Sequence, residues 1–538
     1  MHNDQRCRPA GRTELIDLPV SNYESLVRKE EEELYSQRRH DASAEKVSRS
    51  SADGDSPVLL PGPPPPPFGV IREARLLLGI AIPTVAVQTS AYFLYPQAAS
   101  IIGRTLGTRE LAGMSLGSLT GNLTCLSVVM GALTASQTLQ PRAYGAGDYA
   151  EVGRLTVRGF VTCALILLPI STVLTLGLEG ILTGLGQDPQ TALLASRWVR
   201  IYLLGVPSVL FFRVAQRFLA CQNVVWPVAA GGCLGCFVVQ PLLLRILVPE
   251  RGFLGSAAAV VLSQTVQASS VLLLLRFARP HLSETWPGMT RRFWAESLRL
   301  GPMLRYARLS AGGVLSFSEW WFWETMCFVA GSLGVVPLCV HTIAYQIVPL
   351  LYMLPLGISI GMSVRIGQVI AEDVATAKMI AIWTLGLTAV LAILMAAIMY
   401  SFQRPIVAFF TSDDEVIRGC EQIWPHACIL IIALSIFGTN AGIMRALGLQ
   451  WRQATVVIFC AWVLTVPTIL YLSVYRGGGL ELMWKILPCT YLLMDIILVF
   501  VIMTEDWQAI GKAARERRIS NIAPILVSDE KSDLLNSE

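Results

Sequence analysis

The stretch Ala311-Gly-Gly-Val-Leu-Ser-Phe-Ser-Glu319-Trp-Trp-Phe-Trp-Glu324-Thr-Met-Cys-Phe-Val-Ala-Gly331 carries only two charged residues, and both are acidic. As a helix it is long enough to cross the roughly 30 Å of hydrocarbon in a bilayer. An acidic side chain at the centre of such a span costs roughly 2.5–3.5 kcal/mol on insertion scales, so a pair of them marks a polar cavity or an ion pathway. Glu319 and Glu324 are therefore the first candidates for a functional centre.

The flanking chain has the same character. Hydrophobic residues make up 53% of the sequence and charged residues 15%; the mean hydropathy is +0.55. Soluble domains carry about 25% charged residues, so this composition indicates a polytopic membrane protein. Twelve segments have spanning length, at about 74–101, 111–139, 157–178, 192–219, 225–248, 253–276, 304–331, 334–362, 378–402, 416–447, 454–475 and 479–504. Short loops join them, which favours one transmembrane domain. Residues 1–72 are polar, end in the run Pro63 to Pro67, and are expected to form a disordered cytosolic tail with a polyproline spacer. They lack a signal-peptide pattern, so the first span is expected to direct insertion. Residues 505–538 form a second polar tail, with Lys512, Arg515, Arg517 and Arg518 close to the last span.

Charge placement sets the expected orientation. Arg142, Arg154 and Arg158 flank the second loop, Arg279, Arg291, Arg292 and Arg299 crowd the sixth, and Arg365 and Arg445 lie near the eighth and tenth. The positive-inside bias puts these loops and both tails in the cytosol. Arg142 and Arg365 read first as solvated members of this set, with helix capping or gating as the alternative. The third loop, with Glu179 and Asp188, and the ninth, with Asp413, Asp414 and Glu415, face the other way.

The sequence also repeats. Gly103-Arg-Thr-Leu-Gly107 before Leu111 returns as Gly331-Ser-Leu-Gly334 before Leu338, Arg217-Phe-Leu-Ala-Cys-Gln222 as Arg445-Ala-Leu-Gly-Leu-Gln450, and Arg251-Gly252 as Arg476-Gly477. A nearly constant offset of about 225–228 implies two six-helix bundles, 73–276 and 304–504, joined by a cytosolic linker at 277–303. Six being even, both bundles insert the same way, so a pseudo-twofold axis runs along the membrane normal and a substrate site is expected between them. The fold class is all-α, with twelve transmembrane helices in two six-helix bundles.

These residues carry a resemblance to the multidrug and toxic compound extrusion (MATE) family, in its eukaryotic branch, over about residues 74–504. It rests on Pro83, Gln88 and Gly103; Asn122-Leu-Thr124 with Gly131, Thr138-Leu139 and Ala143-Tyr144-Gly145; Glu319-Trp320-Trp321 with Glu324; Tyr345; and Ser363-Val364-Arg365-Ile366-Gly367. The resemblance implies an antiporter that exchanges an organic, often cationic, substrate for protons or sodium by alternating access. The chain departs from the family pattern at Arg142, where Gln is usual, at Gln346, where animal members carry a glutamate, and along Ile436 to Arg445, which lacks the acidic residue of many eukaryotic members.

Glu319 and Glu324 are five residues apart, about 140° around a helix, so they cannot share one narrow face. One is expected to meet substrate or a proton from the cavity while the other turns toward neighbouring helices. An apolar cavity favours a carboxylate's neutral form, which would allow proton exchange near neutral pH and attraction of a cation once ionised. Trp320 and Trp323 offer ring faces to a flat cation, or else pack against lipid. Gln88, Asn122, Tyr345 and Gln346 are candidates to line the cavity or to tie helices together. Asp495, alone in the last span, must face protein or water, as a structural partner or an ion-coupling group.

Other function classes fit less well. The chain has five histidines, of which only His341 and His426 lie in or near spans, and no spacing suits metal or acyl-transfer chemistry. No cofactor, metal, enzymatic activity or nucleic-acid partner is expected. Cys233-Leu-Gly-Cys236 lacks a second pair, and the cysteines read as packing residues. A lipid-linked precursor flippase is the nearer rival, but its cavity would be basic, and the charges inside spans of the second half are mainly acidic. The expected function is export of organic, cationic compounds in exchange for protons, with sodium coupling as the alternative and a monomer as the expected state. Glu530-Lys-Ser-Asp-Leu534-Leu535 and Tyr23-Glu-Ser-Leu26 resemble sorting signals, leaving the plasma membrane and a vacuolar or lysosomal membrane both open.

Overall fold

The computed structural model describes residues 69–516, apart from 287, 289, 411 and 412. The tail to residue 68 with its polyproline run, the sorting motifs at Tyr23 and Leu534-Leu535, and Arg517 and Arg518 lie outside the described residues. Eleven helices among the described residues are long and apolar enough to span a membrane: α1 (Ile71–Thr105), α2 (Arg109–Gly145), α3 (Tyr149–Gly184), α4 (Pro189–Ala220), α5 (Trp226–Arg251), α6 (Phe253–Ala278), α8 (Val336–Val369), α9 (Val374–Ser401), α10 (Asp414–Ala446), α11 (Gln450–Tyr475) and α12 (Gly479–Thr504). The expected seventh span is present but broken. It consists of α7a (Leu300–Ser316) and α7b (Ser318–Ser332), which meet at Phe317 and are each too short to cross alone.

Loop aspartates start several of these helices. Asp148, Asp188, Asp373 and Asp413 each accept a hydrogen bond from a backbone N–H in the first turn of α3, α4, α9 and α10. A cap of this kind contributes about 1 kcal/mol by satisfying an N–H that has no partner within the helix. Exposed apolar side chains such as Leu176, Leu204, Ile382, Val390 and Ile496 lie on the spanning helices, as a lipid-facing surface requires.

Two apolar cores match the two-bundle expectation. One is built from α1 to α6 around Leu133, Trp198, Tyr202, Leu244 and Val260. The other is built from α7b to α12 around Phe322, Trp424, Trp484 and Tyr491. The repeat is visible in the backbone too, since α5 and α11 both contain wide π-type turns, at Leu234–Val239 and Ile458–Thr465.

The halves meet along two equivalent crossings, α1 on α8 and α2 on α7a, and glycine allows both. A Cβ on Gly357 would stand 2.9 Å from the Val85 nitrogen, and one on Gly131 would stand 2.6 Å from Val314 Cα. At the end bearing the arginine-rich loops, polar side chains tie the seam shut in matching places. From α2, Thr138 donates to the Arg445 carbonyl at 2.5 Å and Arg142 to that of Ala446 at 2.5 Å. From α8, Gln368 donates to the Cys221 carbonyl at 2.9 Å and to Asn223 Oδ1 at 3.1 Å. Arg365 closes the set with an ion pair to Glu73 of α1 at 2.9 Å. Arg142 and Arg365 are thus seam contacts, which corrects their first reading as solvated charges. Toward the other end, the pairs Arg109–Gln190 and Arg404–Glu421 each stay within one half.

One further expectation needs correction. Two halves that rock against each other call for a compliant joint with few contacts, yet Thr285, Phe293 and Ser297 of the linker are buried. Gln222 Oε1 accepts from the Leu282 N–H at 3.0 Å, Arg158 donates to the Ser297 carbonyl at 2.9 Å, and Trp286 packs edge-on against Phe218. The linker rides on the first half because its Trp and Phe bury better there than in water. The C-terminal tail also begins as a helix, over 507–516, with Trp507 buried and Arg515 donating to the Ala371 carbonyl at 3.1 Å.

Candidate functional site

The break at Phe317 begins a new helix inside the protein, and Glu319 occupies its first turn. A helix N-terminus carries partial positive charge, a favourable place for a carboxylate. Glu319 is only 6% exposed. Its Oε1 accepts the Trp323 indole N–H at 3.0 Å and the hydroxyl of Tyr491 from α12. The same indole also reaches the Tyr491 oxygen at 2.7 Å, so the three groups form a closed triangle. Among the described residues no ion pair involves Glu319.

Glu324 lies one and a half turns further along α7b and is half-buried. It points to a different neighbour, as the 140° separation requires: Tyr345 of α8 donates its hydroxyl to Glu324 Oε1 at 2.8 Å. The Trp323 ring stands between the two carboxylates, 6.0 Å from the Tyr345 ring and 6.2 Å from that of Tyr491. His341 stacks on Tyr345 at 5.9 Å behind this group. Tyr92 of α1 reaches across the seam to the Gln346 carbonyl at 3.3 Å and sits within electrostatic range of Glu324.

The remaining candidates separate. Tyr345 belongs to the cluster. Gln346 gives only its carbonyl, and its side chain is exposed. Trp320 packs on Phe317 at 5.2 Å, outside the triangle that Trp323 completes. Trp321 crosses the seam instead, donating to Ser127 Oγ at 3.0 Å on α2. Asn122 opens a π-type turn, Asn122–Leu126, with its Oδ1 buried and unpartnered. Gln88 lies in the first half, where it accepts from Arg213 at 2.8 Å.

Sequence reasoning missed Tyr491. An isolated tyrosine in an apolar span gives no local signal, and its partner is 172 residues away. Asp495, one turn beyond Tyr491 on α12, is buried and accepts from Asn440 of α10 at 2.9 Å, leaving its Oδ2 unpartnered. It thus faces Ile436 to Arg445 of α10, a stretch without a carboxylate.

Comparison with known proteins places this geometry. The chain is 29% identical to Multidrug and toxin extrusion protein 2 of Oryctolagus cuniculus over 456 residues, covering 84% of this chain and 74% of that one. It is 27% identical to Multidrug and toxin extrusion protein 1 of Homo sapiens over 457 residues, covering 83% and 77%. The fold superposes on the crystal structure of the eukaryotic MATE transporter AtDTX14 with a TM-score of 0.77 at 22% identity, covering 83% of this chain and 99% of that one. The sequence model of the MatE family matches twice, at residues 83–241 and 313–470, once in each half. Twelve spans in two bundles, with one family match in each, establish that the chain is a multi-pass membrane protein belonging to the MatE family of transporters.

Proposed function

We propose that the protein exports organic cations in exchange for protons by alternating access, with Glu319 as the exchange site. The observation that carries this reading is the Glu319 triangle: a buried carboxylate held by neutral donors, Trp323 and Tyr491, with no cationic side chain paired to it among the described residues. An ionised carboxylate sealed from water and left unpaired costs several kcal/mol. The closed site is therefore stable only with a proton or a positively charged ligand in place. A group that must hold one or the other, and cannot hold both, couples their movements in opposite directions. Glu324, with Tyr345 at its oxygen, offers a second negative charge whose reach depends on substrate shape.

On this reading the bundles 73–276 and 304–504 rock about the two glycine-lined crossings, and the linker 277–303 travels with the first. The arginine-rich end and both tails are cytosolic. The hydrogen bonds that tie that end shut describe a conformer closed to the cytosol, in a plasma membrane or a vacuolar or lysosomal membrane. Sodium coupling has one observation in its favour, the unpartnered Asp495 Oδ2 and Asn440 Oδ1, hard ligands on two side chains that hydrogen-bond each other.

The test is uptake of a fluorescent organic cation into proteoliposomes under imposed gradients. A proton gradient with sodium absent should drive transport against the cation gradient. A strict sodium requirement with no response to the proton gradient would overturn the proton reading and favour the Asp495–Asn440 pair.

A further inference from the structure

Two arginines at the seam between the halves, and a third behind them in the first bundle, are buried without a carboxylate partner among the described residues. Arg213 and Arg217 come from α4 and Arg445 from the last turn of α10, and they are 4%, 3% and 5% exposed. Arg213 donates to Gln88 Oε1 at 2.8 Å and Gln216 Oε1 at 3.1 Å. Arg445 donates to Ser359 Oγ at 2.9 Å, and its Nε is buried and unpartnered. Arg217 is the least satisfied: its Nη2 meets only the Met130 thioether, at 3.9 Å, and its Nε and Nη1 are buried without a partner. Arg213 and Arg445 are both near enough to repel it.

Structural explanations fall short of this cost. Arginine does not shed its proton in proteins. Burying an ion without a partner is expensive, and like charges in one low-dielectric site add to the cost. Arg217 and Arg445 sit in the last turns of their helices, but the partial negative charge of a helix terminus offsets only a small part of it. An acceptor with negative charge supplies the missing term.

Arg217 and Arg445 occupy equivalent positions in the two repeats, so their unpartnered donors approach the seam from both halves. Ser363 Oγ, one turn from Ser359 on α8, is also buried and unpartnered. Arg217 and Arg445 are both almost fully buried in a close-packed interior, so an anion held between them must be small. We propose that the seam binds a halide-sized monoanion, chloride in cells, between Arg217 and Arg445 with Arg213 alongside. Because the donors belong to different halves, the bound anion clamps the arginine-rich end shut.

The experiment uses the full chain purified into nanodiscs and reads thermal unfolding in sodium chloride, sodium bromide and sodium gluconate at equal ionic strength. Chloride and bromide should raise Tm saturably by a few degrees over gluconate, as a ligand of the folded state does. Arg217→Met, which replaces a buried charge with a side chain of similar length, should abolish that rise. If Arg217→Met does not fold, bromide anomalous scattering from wild-type crystals decides, with a peak expected between Arg217 and Arg445. Equal Tm in chloride and gluconate, a halide-dependent rise retained in Arg217→Met, or no anomalous peak at that position would each overturn the proposal. None of these readouts depends on transport, so the reading of Glu319 stands or falls separately.

Discussion

The two halves share one plan and differ in the sign of what they bury. Both have six helices, π-type turns in the fifth, and a helix whose end ties the seam shut. Yet α4 of the first half contributes Arg213 and Arg217, while the second half holds Glu319, Glu324 and Asp495 in its interior. At the repeat offset of about 228, Ala91 and Pro96 of α1 stand where the second half has the two glutamates. The symmetric features are those that build and close the frame, and the asymmetric ones are those that bind charge. Rocking needs two matching surfaces, whereas exchange needs only one site, and a second carboxylate pair opposite the first would add repulsion without adding a ligand.

The comparison breaks most sharply at Glu319. Glu319→Gln keeps the shape and the hydrogen-bonding length but removes the negative charge. Losing a buried charge pair is worth about 2–5 kcal/mol, so coupled export in proteoliposomes should fall by at least about 30-fold while expression persists. Wild-type exchange in that variant would remove the asymmetry from the mechanism.

Tyr491→Phe tests the neighbour that holds Glu319 from α12. The ring stays and the donor goes, at a cost of about 1.5–3 kcal/mol for a hydrogen bond to a charged group, so export should drop at least about tenfold. An unchanged rate would mean that the triangle is structural. Glu324→Gln should cost less and should alter the ranking of substrates, because Glu324 is half-buried and meets one donor, Tyr345. An equal loss for every cation would contradict that role.

The symmetric part of the comparison predicts the smallest effects. Thr138→Val and Gln368→Leu each remove seam hydrogen bonds from equivalent helix ends. At about 1 kcal/mol each, either should shift the ratio of open to closed conformers about fivefold toward open, and by similar amounts. Maleimide labelling of Ser363→Cys, on α8 and buried in the closed conformer, reads that shift. A large effect from one and none from the other would show that the gate is not built symmetrically.

The frame was legible in the sequence because spanning helices need long apolar runs and the repeat kept its spacing over two hundred residues. The carboxylates were legible because charge in such runs is expensive. Less visible were the groups that give the carboxylates their setting. Nothing marks Ser316-Phe317-Ser318 as a break, since serine and phenylalanine are both tolerated in spans, and the break shows only in the backbone. Arg142 and Arg365 read as members of the positive-inside set, because the same residue type serves a solvated loop and a seam hydrogen bond. The linker misled for a related reason: a run of arginines suggests water, while Trp286 and Phe293 between them supply the apolar anchor.

Competition between a proton and a cation for one buried carboxylate is the central claim, and the affinity of the purified protein for an organic cation as a function of pH tests it most directly. If only the ionised form of Glu319 binds the cation, Kd should rise as pH falls, approaching about tenfold per pH unit where the site is mostly protonated. In Glu319→Gln that dependence should be lost. A wild-type Kd that stays flat with pH, or a pH dependence that survives unchanged in Glu319→Gln, would contradict the account.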